Sequence, residues 1–163
     1  MTLPLESAPY PEATPEPQAG KQPGLHYSFY PVEHLRSLPD FAKLTASKSG
    51  VVTELNPETI AGDRKEDYAV VYDGYLKIDI DGFQRLVTSA DDGCRVTLDG
   101  RVVIDDPGPH PAQETSGPIC AKPGLHKIHI DYYNGAGGGE LKLFIRPSGG
   151  TQREVTAAEL WHD

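Results

Sequence analysis

The sequence predicts an all-β fold, an antiparallel β-sandwich of about ten short strands in a jelly-roll-like arrangement behind a disordered Pro-rich N-terminal segment. Three observations predict it. The 17 glycines and 15 prolines spread turn-forming residues through the whole length of 163 residues. Short runs between them alternate apolar and polar residues with the period of two that a strand requires. Nowhere does a long stretch carry the periodicity of an amphipathic helix.

Residues 1–23 hold Pro4, Pro9, Pro11, Pro15, Pro17 and Pro23, with Glu6, Glu12 and Glu16 between them. Such a stretch has little to bury and no run free to form a helix, so 1–23 is read as a linker and 24–163 as one domain. From Gly24 the pattern changes: Leu25, Tyr27 and Phe29 alternate with His26, Ser28 and Tyr30, marking a strand. Val32 to Leu38 is expected to make one helical turn, and Val51 to Leu55 a brief strand. Tyr68 to Ile80 is rich in Tyr, Val and Ile, and Gly74 within it suggests a bulge or bend.

Asp81-Gly82 turns the chain into Phe83 to Ala90, and Cys94, Val96 and Leu98 then share one face. Asp99-Gly100, flanked by Val-Thr-Leu and Val-Val-Ile, is the strongest hairpin signal, because a type I′ turn needs positive φ at both central residues. Asp105 to Gly117 reads as a Pro-rich polar loop and Ile119 to Ala121 as a short strand. His126 to Tyr133 and Leu141 to Ile145 are partner strands joined by the glycine-rich loop 134–139. The tail, Val155 to Leu160, is expected to pack along an edge.

Charge and cysteine content exclude several functions. The net charge of −9, with no basic stripe, argues against a nucleic-acid partner. No apolar run has the length of a membrane span, so no membrane insertion is expected. The first residues lack a basic region followed by an apolar run, so no secretory leader is expected on this chain. Either the protein is cytoplasmic or the segment is cut from a longer exported chain; a linker at the very start points to a module of something larger, with other domains of the same polypeptide as partners. Cys94 and Cys120 permit one disulfide and form no CxxC pair.

Candidate chemistry sits in the loops. Asp91 and Asp92, between two strands and followed by Gly93, can offer carboxylate oxygens to a hard cation such as Ca²⁺, or can simply form an acidic turn. The loop from Asn134 through Gly135, Ala136, Gly137, Gly138 and Gly139 lacks the following helix and the Lys-Ser/Thr pair of a phosphate cradle, and Glu140 would repel phosphate. It is either a flexible turn or a loop whose glycines allow a ligand close approach. His126 and His129 lie three apart on a strand and therefore face opposite sides, unable to share one ion. Asp105, Asp106 and Glu114 offer no recognisable glycosidase pair, and no nucleophile–base arrangement stands out, so an enzyme is not expected.

The order of the motifs carries a resemblance. Gly74-Tyr75-Leu76-Lys77-Ile78, then the run from Ala90 to Gly100, then Gly117-Pro118-Ile119, the run from Pro123 to Ile128 and Asp131-Tyr132-Tyr133-Asn134 together resemble the protective-antigen-type domain family. The similarity extends from about Gly24 to Leu160, and that family is found in glycosidases, sulfatases, bacterial toxins and yeast flocculins. The resemblance implies a β-sandwich in which an adjacent Asp-Asp pair, joined by a cis peptide, holds Ca²⁺; Asp91 and Asp92 occupy that position. It implies that Asn134 and main-chain atoms of the later loop, with Gly135 and Gly137, complete a site at which a glycan binds through the ion. The implied function is that of a non-catalytic, Ca²⁺-dependent carbohydrate-binding module, extracellular, cell-surface or periplasmic. The alternative is a structural or protein-interaction accessory domain without sugar binding. Gln84 departs from the family's usual aromatic residue, Cys94 from a small polar one, and the later loop has no Trp to stack on a sugar. In the family's register Cys94 faces inward and Cys120 faces away from Ile119, so two free thiols are expected.

Overall fold

Residues 15–163 are described by the structure, a computed structural model. The period-two runs become twelve strands, all paired antiparallel, in two sheets. The strands are β1 (Gln22–Pro23), β2 (Leu25–Pro31), β3 (Lys48–Val52), β4 (Tyr68–Ile78), β5 (Gly82–Asp91) and β6 (Cys94–Leu98), followed by β7 (Arg101–Asp106), β8 (Gln113–Ala121), β9 (Gly124–Asn134), β10 (Glu140–Pro147), β11 (Arg153–Glu154) and β12 (Leu160–His162). The eight-stranded sheet runs β1-β12-β4-β9-β6-β7, with β2 also paired to β4 and β3 to β2. The four-stranded sheet runs β11-β10-β5-β8. Strand β4 is long enough to be shared on one side: β2 pairs with Tyr68 to Asp73, and β12 with Tyr75 and Leu76.

The inner faces meet in one core. Val70, Tyr72, Ile128, Ile130, Tyr132 and Val96 come from the large sheet, and Leu86, Ala90, Leu141, Leu143 and Ile145 from the small one. Alternation along each strand sends these residues inward and their neighbours outward. Cys94 and Cys120 are both buried free thiols. Burial pushes the Cys94 thiol up to about 11, and its sulfur lies 3.5 Å from Thr88 Oγ1 of the opposite sheet, so it is a core group rather than a nucleophile.

Several expectations change in detail. Asp99 (φ 50°) and Gly100 (φ 81°) form the predicted hairpin. Gly74 makes no bulge, since β4 and β9 stay in register from Tyr68 to Ile78; a Cβ there would strike the Trp161 carbonyl and Leu25, so the glycine admits β12. The register shift lies instead between Val96 and Thr97. Residues 32–38 form no helical turn. Their backbone is taken by other loops, with Val32 N and Leu35 N donating to Asp67 and Leu38 N to the Pro107 carbonyl. A short helix, α1 (Pro57–Ala61), stands where no element was expected; Asn56 caps it and Pro57 opens it, a start signal present in the sequence. The tail turns at Ala157–Glu159 and enters the large sheet as β12. Within the segment read as a linker, Glu16 pairs with Leu125 and β1 with β12, so the chain is held against the sandwich from there; residues 1–14 lie outside the described residues.

Outside the core, the large sheet carries a polar array in strict register. Ser28, Val71, Asp131, Arg95 and Asp105 form one row across five strands; Asp73, His129 and Thr97 form the next. His129 Nδ1 lies 2.6 Å from Asp73 and Nε2 2.8 Å from Asp131. The bonds to Asp131 and Asp73 outweigh burial and hold the imidazolium up to about 10, against an ordinary 6.5. His126, three residues earlier, is buried between Asp99 and the Lys122 carbonyl, so the two histidines do face apart. A folded-state pKa above the unfolded one means that the stabilisation from His129 is complete below about 6.5 and is lost as pH rises toward 10. Urea unfolding across that interval is expected to show a steeper loss of stability for the wild type than for His129→Gln. Parallel curves would remove His129 as the source.

Candidate functional site

The loop end of the sandwich is organised by the link from β5 to β6, where the chain leaves the small sheet and joins the large one. Asp91, the last residue of β5, and Asp92, the first of that link, are joined by a cis peptide bond, as the family resemblance implied. Asp92 is 8% exposed, and both its carboxylate oxygens are engaged by main chain: His110 N donates to Oδ1 at 3.1 Å and Gly135 N to Oδ2 at 2.8 Å. One side chain thus ties the 91–93 link to the 106–113 loop and the 134–139 loop. Its own N–H donates to the Tyr133 carbonyl, and Tyr133 N returns a bond to Gly93. Tyr132, whose phenol is pushed up by burial and stays a donor, gives its hydroxyl to the Asp91 carbonyl at 2.6 Å.

Asn134 ends β9 and is fully buried. Its Nδ2 donates to the Lys65 carbonyl at 3.0 Å and to the Gly137 carbonyl at 2.9 Å, which fixes which end of the amide is which. Its Oδ1, buried with it, accepts no hydrogen bond. A buried unpartnered acceptor is costly to leave unsatisfied and asks for a partner. The Asp91 carboxylate likewise has no hydrogen-bond donor among the described residues. The structure brings Asp92 to Gly135 and Asn134 to Gly137, while Asp91 precedes Asp92 and has Glu140 as its cross-strand neighbour.

The glycine loop is too tight for side chains at two points. A Cβ on Gly135 would meet the Leu35 carbonyl, and one on Gly139 the hydroxyls of Tyr68 and Tyr132, each at 2.6 Å. Two carboxylates hold its backbone: Glu58 of α1 accepts from Gly139 N at 3.1 Å and Glu66 from Gly137 N at 3.3 Å. Neither glutamate was singled out in the sequence; they lie roughly 70 to 80 residues before the loop they hold.

The loop end is acidic at the β5–β10 edge. Burial, then the adjacent Asp92, raise the Asp91 carboxyl above its ordinary value; His110 pulls it back and Glu140 adds to the rise. Glu140 pairs with Asp91 across β5 and β10 and accepts from Ser89 at 2.9 Å. An acid held above its ordinary pKa is one whose negative form lacks compensation. His110, also missed in the sequence, has Nε2 2.7 Å from Asp106 and Nδ1 2.8 Å from the Pro111 carbonyl; burial opposes its charge, but these two acceptors raise its pKa overall. No three His, Cys, Asp or Glu side chains form a metal cluster among the described residues. A cation here would rest on Asp91, Asp92 and neutral oxygens.

An all-β sandwich with a cis-linked aspartate pair and a buried asparagine at one loop end is the geometry the chain presents, and the comparisons give its family. The PA14 domain profile, which is the protective-antigen type, matches residues 21–158, and the chain belongs to that family. The fold is shared with the PA14 domain of the MpAFP antifreeze protein (TM-score 0.71, 16% identity, 93% of this chain and 95% of that one). It is shared also with a PA14 sugar-binding domain from an RTX adhesin (0.69, 19%, 86% and 99%) and with the Epithelial Adhesin 6 A domain from Candida glabrata (0.70, 11%, 89% and 89%). The chain spans about half the length, 48%, of an anti-sigma factor domain-containing protein from Clostridium clariflavum that it matches at TM-score 0.69 and 20% identity. No curated protein sequence matches it.

Replacing Asp92 by Ala removes two hydrogen bonds to a carboxylate and leaves the Gly135 N–H buried. The expected loss is about 2–3 kcal/mol, with a smaller loss for Asp92→Asn, which keeps one acceptor oxygen. Urea unfolding at unchanged m-value measures it. A loss below about 0.5 kcal/mol, the range of an ordinary surface substitution, would mean that the three loops hold without this side chain.

Proposed function

We propose that this domain is a non-catalytic, Ca²⁺-dependent carbohydrate-binding module of a larger exported protein, acting outside the cell or at its surface. The observation that carries the reading is the buried, unpartnered Oδ1 of Asn134 beside the Asp91–Asp92 link. Asp91, Asp92 and Asn134 would hold the ion, with Gly135 and Gly137 forming the ligand-facing wall. Bound Ca²⁺ would supply open coordination positions that vicinal hydroxyls of a sugar can fill. Support for a glycan comes from the neighbours: one is a sugar-binding domain, and the Epithelial Adhesin 6 A domain was solved with Galβ1-3GlcNAc. No helix among the described residues is long and apolar enough to cross a membrane.

The accessory-domain reading has one observation in its favour, the full engagement of Asp92 by backbone N–H groups, which suffices to explain the acidic turn as scaffolding. Carboxylate oxygens carry further lone pairs, so Asp92 can hold the loops and a cation together. Isothermal titration separates the readings. Two carboxylates with neutral oxygens are expected to bind Ca²⁺ with a Kd on the order of 10⁻⁵ to 10⁻³ M, and an Asp91→Asn, Asp92→Asn double variant to bind none. Galβ1-3GlcNAc or lactose retained in calcium and released in chelator would establish the sugar step. A folded wild type giving no heat with calcium would leave the accessory-domain reading in possession.

A further inference from the structure

A second concave surface lies away from the aspartate link, on the outer face of the large sheet. It is a groove of about 570 Å³, within the range of small-ligand sites. Its floor is the registered array of Asp73, Arg95, His129 and Asp131, and its wall is the 30–42 segment, with Tyr30 and Phe41 in an edge-to-face pair at 5.2 Å. That wall is braced by a second apolar cluster of Leu35, Ala69 and Tyr133, to which Tyr30 and Phe41 pack.

The polar groups in the groove are held in place and still have capacity to spare. His129 is fixed by two carboxylates, and Arg95 Nε by Asp105 at 2.9 Å. Asp73 and Asp131 each give His129 one oxygen and keep the other without a donor, and the terminal nitrogens of Arg95 have no acceptor among the described residues. Fixed side chains lose little rotamer freedom when a ligand binds. The charges nearly balance: Asp40, Asp73, Asp105 and Asp131 face Lys43, Arg95 and His129, so neither a strong cation nor a strong anion is selected. Leftover acceptors and donors beside an aromatic wall match a ring with hydroxyls on its rim and C–H bonds on its face.

We infer that this groove is a second binding site, independent of calcium, for a neutral saccharide, with Asp73, Asp131 and Arg95 contacting hydroxyls and Tyr30 and Phe41 covering the apolar face of the ring. It stands on residues that the calcium reading does not use.

A printed glycan array probed with the whole chain in excess EDTA is the test, repeated with Arg95→Gln, Asp131→Asn and the Asp91→Asn, Asp92→Asn double variant. Circular dichroism checks that each is folded. The expected result is EDTA-resistant retention of a neutral glycan by the wild type and the double variant, weakened about tenfold or more by either groove substitution, the loss of one hydrogen bond to a charged group. For the unsubstituted protein, titration with the most strongly retained glycan should shift the His129 ring resonances, which keeps the test open if a groove variant fails to fold. Absence of EDTA-resistant retention overturns the groove and leaves the calcium site untouched. Retention that ignores both groove substitutions, with His129 resonances unmoved, also overturns it.

Discussion

The carboxylate of Asp92 accepting from His110 N and Gly135 N is the interaction on which the loop end of the molecule depends. The two sheets are joined there by a link of only two residues, Asp92 and Gly93, between β5 and β6. The clip joins the 106–113 and 134–139 loops directly through one side chain. With it, the position of Asn134 follows from Gly135, and that of Gly93 from Tyr133. Gly93 has no room for a side chain, since a Cβ would meet the Asp106 carbonyl at 2.6 Å and the Tyr133 ring at 2.8 Å. The acidic pair is therefore an architectural element first, and whatever it binds inherits a site already shaped.

The distribution of negative charge has the same logic at both surfaces. At the loop end, Asp91, Asp92 and Glu140 crowd together with Asp91 raised in pKa, an arrangement that a divalent cation would relieve. On the outer sheet face, Asp73 and Asp131 each sit within hydrogen-bond reach of His129, whose pKa they raise, and the negative charge is already answered. The same residue type thus does two different things, and the difference lies in whether register places a base between the acids. The net charge of −9 in the sequence distinguishes neither.

What was legible in the sequence were features that depend on neighbours along the chain. Alternation gave the strands, Asp99-Gly100 gave the hairpin because φ is a local property, and the ordered motifs gave the family. What was not legible depends on distant partners. Residues 32–38 have the composition of a helical turn, but their N–H groups go to Asp67 and Pro107, tens of residues away. Gly74 suggested a bulge because a glycine inside a strand has two explanations, and the close passage of β12, from the far end of the chain, decides between them. His110 sits among prolines in a loop without periodicity, where nothing indicates that its backbone will reach Asp92. Helix α1 is the exception, since its Asn-Pro start is a local signal that a reading centred on strands passed over.

The loop 134–139 shows why the sequence says little about a ligand. Five residues, Gly135 to Gly139, carry one methyl group between them, so the loop has almost no side-chain chemistry of its own. Its conformation is imposed from outside, by the Asn134 amide on Gly137, Asp92 on Gly135, Glu66 on Gly137 and Glu58 on Gly139. Glycine at 135 and 139 follows from the closeness of the Leu35 carbonyl and the two tyrosine hydroxyls. A loop built this way presents mainly backbone. The carboxylates that hold it, Glu58, Glu66 and Asp92, come from earlier in the chain. The shape of this end of the domain is consequently a property of the packing of its loops on one another, set by the same contacts that hold the loop end together.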